Sequence, residues 1–209
     1  MTRGVAKPFP ALIPALALTM FLLASCGGAS RLGLTYSPIP GAILQRGTVQ
    51  LVVRDARPVK NLVGPEAMNR NLFKGSQDGL VDLKVSLPTG ETVARSMLTV
   101  ESAVFEAVKE RLRLQGVTAQ TGVSGAKARV TVSIVDLSID VQGSDLASHI
   151  RLEAVMDRPG IDLVTRTWAE ADSSKMKLIG DMGGAQSLSE ALTMAVNRLD
   201  FSTLDRFQQ

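Results

Sequence analysis

The stretch from Ala128 to Ser173 permits very few folds, because it holds three successive segments of alternating apolar and polar residues joined by two short turns. Alternation with a period of two puts one row of side chains on each face of a strand. "ARVTVSIVDLSIDVQ", residues 128–142, therefore reads as a long strand. Its apolar phase changes midway: Val130, Val132 and Ile134 are followed by Val135, Leu137, Ile139 and Val141. The slip at Ile134–Val135 predicts a β-bulge, or a first half buried on both faces. "ASHIRLEAVM" then alternates Ile150, Leu152, Ala154 and Met156, and "RPGI" (158–161) supplies Pro and Gly for a turn. "IDLVTRTWAEADS" follows as a third, more polar strand.

Facing apolar residues against one another sets the registers. Across the first turn Ile139 pairs with Ile150 and Leu137 with Leu152, which puts Asp140 opposite His149. Across the second, Met156 facing Leu163 puts Glu153 opposite Arg166 and Arg151 opposite Trp168. Such pairs contribute roughly 0.2–1 kcal/mol each and account for all of these residues as surface neighbours. Arg151, Glu153, Arg166 and Trp168 are also the candidate partner face.

Elsewhere "TVQLVVRDARP" (48–58) reads as a strand stopped by Pro58, residues 59–79 as a long excursion without period, and "LVDLKVSL" (80–87) as a half-buried or edge strand. From Val100 the spacing turns helical: Val100, Val104, Phe105, Val108 and Leu112 share a face. Thr99 suits the N-cap, Arg111 and Arg113 the C-terminal dipole, and Gly116 a left-handed cap. "MKLIGDMGGAQ" (176–186) reads as a Gly-rich loop, after which Ser187 and Glu190 form a capping-box pattern ahead of a stripe of Leu188, Ala191, Leu192, Ala195 and Leu199. The predicted class is α+β, a mostly antiparallel sheet of four to five strands with two helices packed on one face.

Arg3 and Lys7 precede "ALIPALALTMFLL", residues 11–23. The run falls short of the roughly 20 apolar residues that cross a bilayer, and fits the apolar core of an export signal. "LASC", Leu23–Cys26, resembles the bacterial lipobox, in which the signal is cut before a cysteine that becomes lipidated. An ordinary secretory signal, or a buried helix with a free thiol, is the alternative. The lipobox resemblance implies a signal peptide over 1–25 and Cys26 as the lipidation site, acylated (palmitate-type) on sulfur and amine. Two chains or more anchor stably where one does not. By the sorting rule of the best-studied Gram-negative lipoproteins, Gly27 rather than Asp after the cysteine implies the periplasmic side of the outer membrane. Residues 26–46 then read as a lipidated N-terminus and flexible tether, reaching up to roughly 70 Å if fully extended, with "LTYSPIP" able to dock through Tyr36 and Ile39. Residues 47–209 read as a single periplasmic α+β domain.

Cys26 is the only cysteine, so once it is lipidated no disulfide, thiolate or cysteine metal site is left. Of the 23 Lys and Arg residues, Arg3 and Lys7 leave with the signal, giving 21 against 20 Asp and Glu. No basic face is left for nucleic acid. A triad would have to use His149, the only histidine, with Asp140 orienting it, yet no serine sits on a nucleophile elbow. Asp136 and Asp140, four residues apart on one strand, are separated by about 13 Å, beyond the roughly 5–9.5 Å of glycosidase carboxylates. "GDMGG" (180–184) before a helix lacks the Lys and Ser/Thr of a nucleotide loop. No metal or cofactor is expected. Asp55 and Arg57 at a strand end suit an internal ion pair or, alternatively, a binding role.

The lipobox, "LTYSP", a strand ending "VRDAR", the "LVGP" excursion, a helix closing at "QGV", the "VTVSIVDLSIDV" strand and the final "LSEALTMAV" helix resemble the YajG-like family of uncharacterised bacterial lipoproteins. The resemblance implies an envelope lipoprotein with an α+β domain, and carries over only Cys26 as a functional residue. The expected function is a non-enzymatic interaction or assembly module, anchored to the membrane by its lipid, with an envelope protein partner and homo-oligomerisation permitted by open strand edges. The alternatives are a carrier of lipid or another hydrophobic ligand, its cavity lined by Met97, Met156, Met176 or Met194, and a hydrolase using His149 or the Asp136/Asp140 face.

Overall fold

The computed structural model describes residues 31–73, 76, 79–122, 126–176 and 182–208, so the signal segment and Cys26 lie outside the described residues. In chain order the elements are β1 (Leu32–Tyr36), β2 (Gly47–Asp55), α1 (Pro65–Asn69), β3 (Leu80–Ser86), β4 (Thr92–Thr99), α2 (Val100–Leu114), β5 (Val117–Gln120), β6 (Ala128–Gln142), β7 (Asp145–Arg158), β8 (Ile161–Met176), α3 (Met182–Arg198) and α4 (Leu204–Gln208). They form a five-stranded sheet, β5-β2-β6-β7-β8, and a three-stranded sheet, β1-β3-β4.

The long alternating segments form the antiparallel meander β6-β7-β8. The phase switch at Ile134–Val135 is a register shift between Ile134 and Asp136, so a bulge at Val135 keeps Val130, Val132, Ile134, Leu137 and Ile139 all on the buried face. Both registers differ from expectation. Leu137 faces Ile150, and Ser138 rather than Asp140 stands opposite His149. Glu153 faces Trp168, and Arg151 faces Glu170. In the first hairpin the turn decides. Gln142 pairs with Asp145 across only Gly143 and Ser144, with Gly143 at φ 63°, a two-residue geometry that only a left-handed residue closes without strain. In the second, Arg158 pairs with Ile161, but a shift places Asp157 against Val164, so two extra residues on β8 move everything beyond it.

The sheets are mixed rather than mostly antiparallel. β2 runs parallel to both β5 and β6, and β1 parallel to β3. The helices do not share one face either: α2 packs on β2 and β5 and also on β3 and β4, whereas α3 packs on β7 and β8 and also on β1. Each long helix thus buries its apolar stripe between the two sheets, Val104, Ala107, Val108 and Leu112 from α2 and Leu188, Ala191, Leu192 and Ala195 from α3. Thr99 caps α2 by accepting from the Ser102 amide at 3.2 Å, and Gly116 takes φ 91° just past its end.

α3 begins at Met182, earlier than the capping pattern at Ser187 suggests. A Cβ on Gly184 would lie 2.2 Å from Phe73 Cζ and 2.7 Å from Ile139 Cδ1. The glycine is therefore a packing notch inside a helix, and the described part of the Gly-rich run is not a loop. Ser187 Oγ donates to the Ser173 carbonyl (2.7 Å) and Glu190 pairs with Lys175 (2.8 Å), so neither caps the helix.

The segment expected as a tether is structured from Leu32 onward. Leu32, Leu34 and Tyr36 are buried, and β1 pairs along its length with β3. Its free edge is fastened to α3. The amides of Thr35, Ser37 and Ile39 donate to Ser189 Oγ (2.8 Å), Thr193 Oγ1 (3.3 Å) and Asn197 Oδ1 (3.1 Å). Two residues of extended chain and four of helix both advance by about 6 Å, so one polar helical row meets every second amide.

Candidate functional site on the open sheet face

Away from the helices, the five-stranded sheet presents the outward rows of β6, β7 and β8. Alternation alone puts Arg151 and Glu153 on this face from β7, and Arg166 and Trp168 from β8. The four residues expected together do meet, but diagonally. Arg151 stacks its guanidinium over the Trp168 ring at 5.1 Å, and Arg166 Nη1 lies 3.6 Å from Glu153 Oε1. A slip of two residues keeps every side chain on its face and exchanges direct neighbours for diagonal ones, which long side chains still reach. Trp168 stays 51 % exposed, the ring sandwiched on one side only.

His149 stands on the same face, held by the residue across from it on β8. Its Nδ1 is 2.7 Å from Asp172 Oδ1, while Nε2 faces Glu170 (3.8 Å) and Asp136 (3.9 Å). Asp172, not Asp140, is thus the orienting carboxylate. Ser138 is the cross-strand neighbour on β6, yet no hydrogen bond joins it to the ring among the described residues. His149, Glu170 and Asp172 bring one ligand atom each within 4.8 Å of one another and are the residues able to hold a cation. The two carboxylates are 57 % and 77 % exposed.

Asp140 serves the fold instead. Its Oδ1 accepts from the Ala67 amide in the first turn of α1 and from its own neighbour Val141, both at 2.8 Å. Gly64, which starts α1, leaves the space: a Cβ there would lie 2.3 Å from Asp140 Cγ. The Asp136/Asp140 pair is therefore divided between an exposed carboxylate and a helix cap. Nothing in the sequence marks Asp140 as a cap, because its partner lies 73 positions away.

Asp55 and Arg57 form an internal pair. Arg57 is buried and contacts both carboxylate oxygens at 2.9 Å, while donating to the Leu137 carbonyl (2.9 Å) and the Lys60 carbonyl (3.1 Å). These contacts, Arg57's hydrogen bond first among them, hold the Asp55 carboxyl down to about 2 despite partial burial. Ala56 between them donates to the Ile134 carbonyl at 3.0 Å, so the pair clamps the end of β2 onto the bulge in β6. Buried Arg111 was read as a dipole partner. It also bonds the Ile39 carbonyl through Nη1 and the Asn197 carbonyl at 3.3 Å.

Of the methionines expected around a ligand cavity, Met156 is fully buried, Met97 and Met176 are exposed, and Met194 borders an open groove of about 430 Å³ between β1 and α3. A gap in the core lined by Leu34, Val81, Val104, Leu137 and Leu192 among others measures about 10 Å³, and a second open groove of about 470 Å³ lies between α2, β2 and β4. The described residues include no helix long and apolar enough to cross a membrane.

Comparison with known proteins bears on the fold. No protein-family model matches the chain, and no curated protein matches it either. Among solved structures, a Xanthomonas campestris protein of the family DUF330 is similar over 86 % of this chain and 97 % of its own, at 12 % identity and a TM-score of 0.54. An uncharacterized protein matches over 84 % and 99 % at 14 % identity and a TM-score of 0.44. Lipoprotein GNA1162 from Neisseria meningitidis matches over 67 % and 92 % at 13 % identity and a TM-score of 0.30. The first likeness establishes a shared architecture with the DUF330 protein, and nothing about activity.

Proposed function

We propose that the chain is a lipid-anchored envelope protein of YajG-like type, acylated at Cys26 and facing the periplasm from the outer membrane. In this reading it acts as a non-enzymatic interaction or assembly module for an envelope protein partner. The observation that carries the module reading is the open face of the five-stranded sheet. Trp168 is half exposed there, with Arg151 stacked on its ring and Arg166 paired with Glu153 beside it. An aromatic with a planar cation stacked on it, rimmed by charges, is the kind of surface at which binding energy concentrates. The lipobox sequence supports the anchor, and the pattern of strands and motifs along the chain supports the family.

His149 gives little support to hydrolysis, since its free ring nitrogen faces two carboxylates rather than a hydroxyl. A carrier would have to use the open grooves beside α3 and α2, about 430 and 470 Å³, since the gap inside the core, about 10 Å³, holds at most a water.

The test is crosslinking in intact cells followed by capture of the acylated protein. A stoichiometric protein partner, lost on Arg151→Glu or Trp168→Ala, is the expected result. Efficient crosslinking that recovers no other protein, or lipid bound to the purified chain in a native mass spectrum, would overturn the module reading.

A further inference from the structure

β8 closes the five-stranded sheet and, among the described residues, has no strand beyond it. Its outer edge is long, and a flat exposed edge is a template for another strand. Two further observations single it out. Of the nine large hydrophobic residues exposed on the described chain, five lie on β8: Ile161, Leu163, Val164, Trp168 and Met176. They are spread along the strand, and Val164, Trp168 and Met176 lie within the stretch that pairs regularly with β7. The second is the order of charges along the strand. Arg166 and Glu170 lie two residues either side of Trp168 on the same face, 66 % and 57 % exposed.

That order is self-complementary. When two copies of β8 lie antiparallel about a two-fold axis through Trp168, each Arg166 stands directly opposite the other copy's Glu170, and the two indoles meet on the axis. Val164 then faces Asp172, so the ladder uses only the part of β8 that pairs regularly with β7. An axis through Arg166 or through Glu170 would instead set like charges against each other, which is unfavourable for cross-strand neighbours. At the backbone, the Glu170 carbonyl accepts from Arg198 Nη1 at 2.6 Å and the Ser173 carbonyl from Ser187 Oγ at 2.7 Å, both donors coming from α3.

We propose that the chain pairs with a second copy of itself through β8, two-fold about Trp168, to make one continuous ten-stranded sheet. The proposal goes beyond the module reading and does not rest on it: the two copies lie with their open faces side by side, Trp168 and Arg166 at the seam and Arg151 and Glu153 on β7 away from it. Closed two-fold symmetry satisfies both edges and leaves no β8 edge for further growth.

The experiment is a cysteine scan in the full chain, with single substitutions Val164→Cys, Trp168→Cys and Asp172→Cys and mild oxidation in cells. The parent chain, whose only cysteine is Cys26, is the control. Paired residues on the axis stand about 4.5–5.5 Å apart, inside the roughly 4.4–6.8 Å that a disulfide spans. Residues four positions away stand about 26 Å from their own counterparts. A disulfide dimer at 168 and none at 164 or 172 is expected. In the otherwise unaltered chain, amine crosslinking should lose most of its dimer with Arg166→Glu and regain it with Arg166→Glu combined with Glu170→Arg. Dimer formation that ignores both charge reversals, disulfides only at 164 or 172, or a chain that stays monomeric in both assays overturns the proposal. Loss of the dimer with partner capture intact would leave the module reading standing.

Discussion

Arg57 lies along the carboxylate of Asp55, Nε on one oxygen and Nη2 on the other, both at 2.9 Å, and both groups sit almost out of solvent. Breaking such a pair from one side strands the other charge. Arg57→Ala is expected to lower unfolding free energy by about 3 kcal/mol, read from urea denaturation. The double change of Asp55 and Arg57 to Ala should cost less than the two single losses combined, since neither charge is then left alone.

The same pair gives a pH signature. Asp55 is held down to about 2 from an ordinary 3.8, so its contribution is complete above about pH 4 and is lost as pH falls through 2. Stability of the parent chain should decline over that window, and Asp55→Asn should flatten part of the decline. Equal slopes in the two proteins, measured by denaturation between pH 4 and 2, would contradict the assignment.

Gly184 admits Phe73 and Ile139 against the axis of α3. Gly184→Ala is expected to destabilise by about 1–3 kcal/mol, the usual cost of overpacking, although alanine is the better helix former. Adding Phe73→Leu should recover part of the loss in thermal melts, because it shortens the group that the new methyl meets.

Asn197→Ala removes the acceptor of the Ile39 amide and the donor to the Ser37 carbonyl. Hydrogen exchange at the Ser37 and Ile39 amides is expected to accelerate at least tenfold while exchange in β6 and β7 stays unchanged. Uniform acceleration would mean that Asn197 supports the whole domain rather than this segment.

On the open face, Arg151→Ala and Trp168→Ala should each change stability by less than about 1 kcal/mol, the range of an exposed cation–π contact. A double-mutant cycle over Glu153 and Arg166 should give a coupling of about 0.2–1 kcal/mol. Variants on this face therefore separate binding from folding.

Much of the meander was legible in the sequence. The change of apolar phase at Val135 could be read because a bulge is the one way to keep Ile134 and Leu137 on the same face. Registers were harder. A shift of two residues leaves every side chain on its face, so hydrophobic matching does not distinguish one register from the next. The tight Gly143–Ser144 turn does distinguish them in the first hairpin. The extra residues near Leu163 in the second leave no mark in the pattern. Three strands escaped notice for different reasons. β1 is five residues inside a Gly- and Pro-rich stretch, β5 is four residues long, and β4 is an edge whose residues are largely exposed. Parallel pairing of β2 with β6 joins segments more than seventy positions apart, and no local signal reports it. Of the site, the membership of the open face was visible and its contacts were not. The carboxylate that orients His149 depends on the register that hydrophobic matching left undetermined.

The attachment of Thr35, Ser37 and Ile39 to one row of α3 has a mechanical meaning. With Cys26 as the proposed anchor, any drag on the domain enters through Leu32 and acts along the axis of β1. The ladder to β3 and the three side-chain bonds to α3 lie across that axis. Tension along the strand then loads all of them at once, in shear, and does not peel them apart singly. Loaded in that direction, β1 is held by the arrangement that resists tearing best.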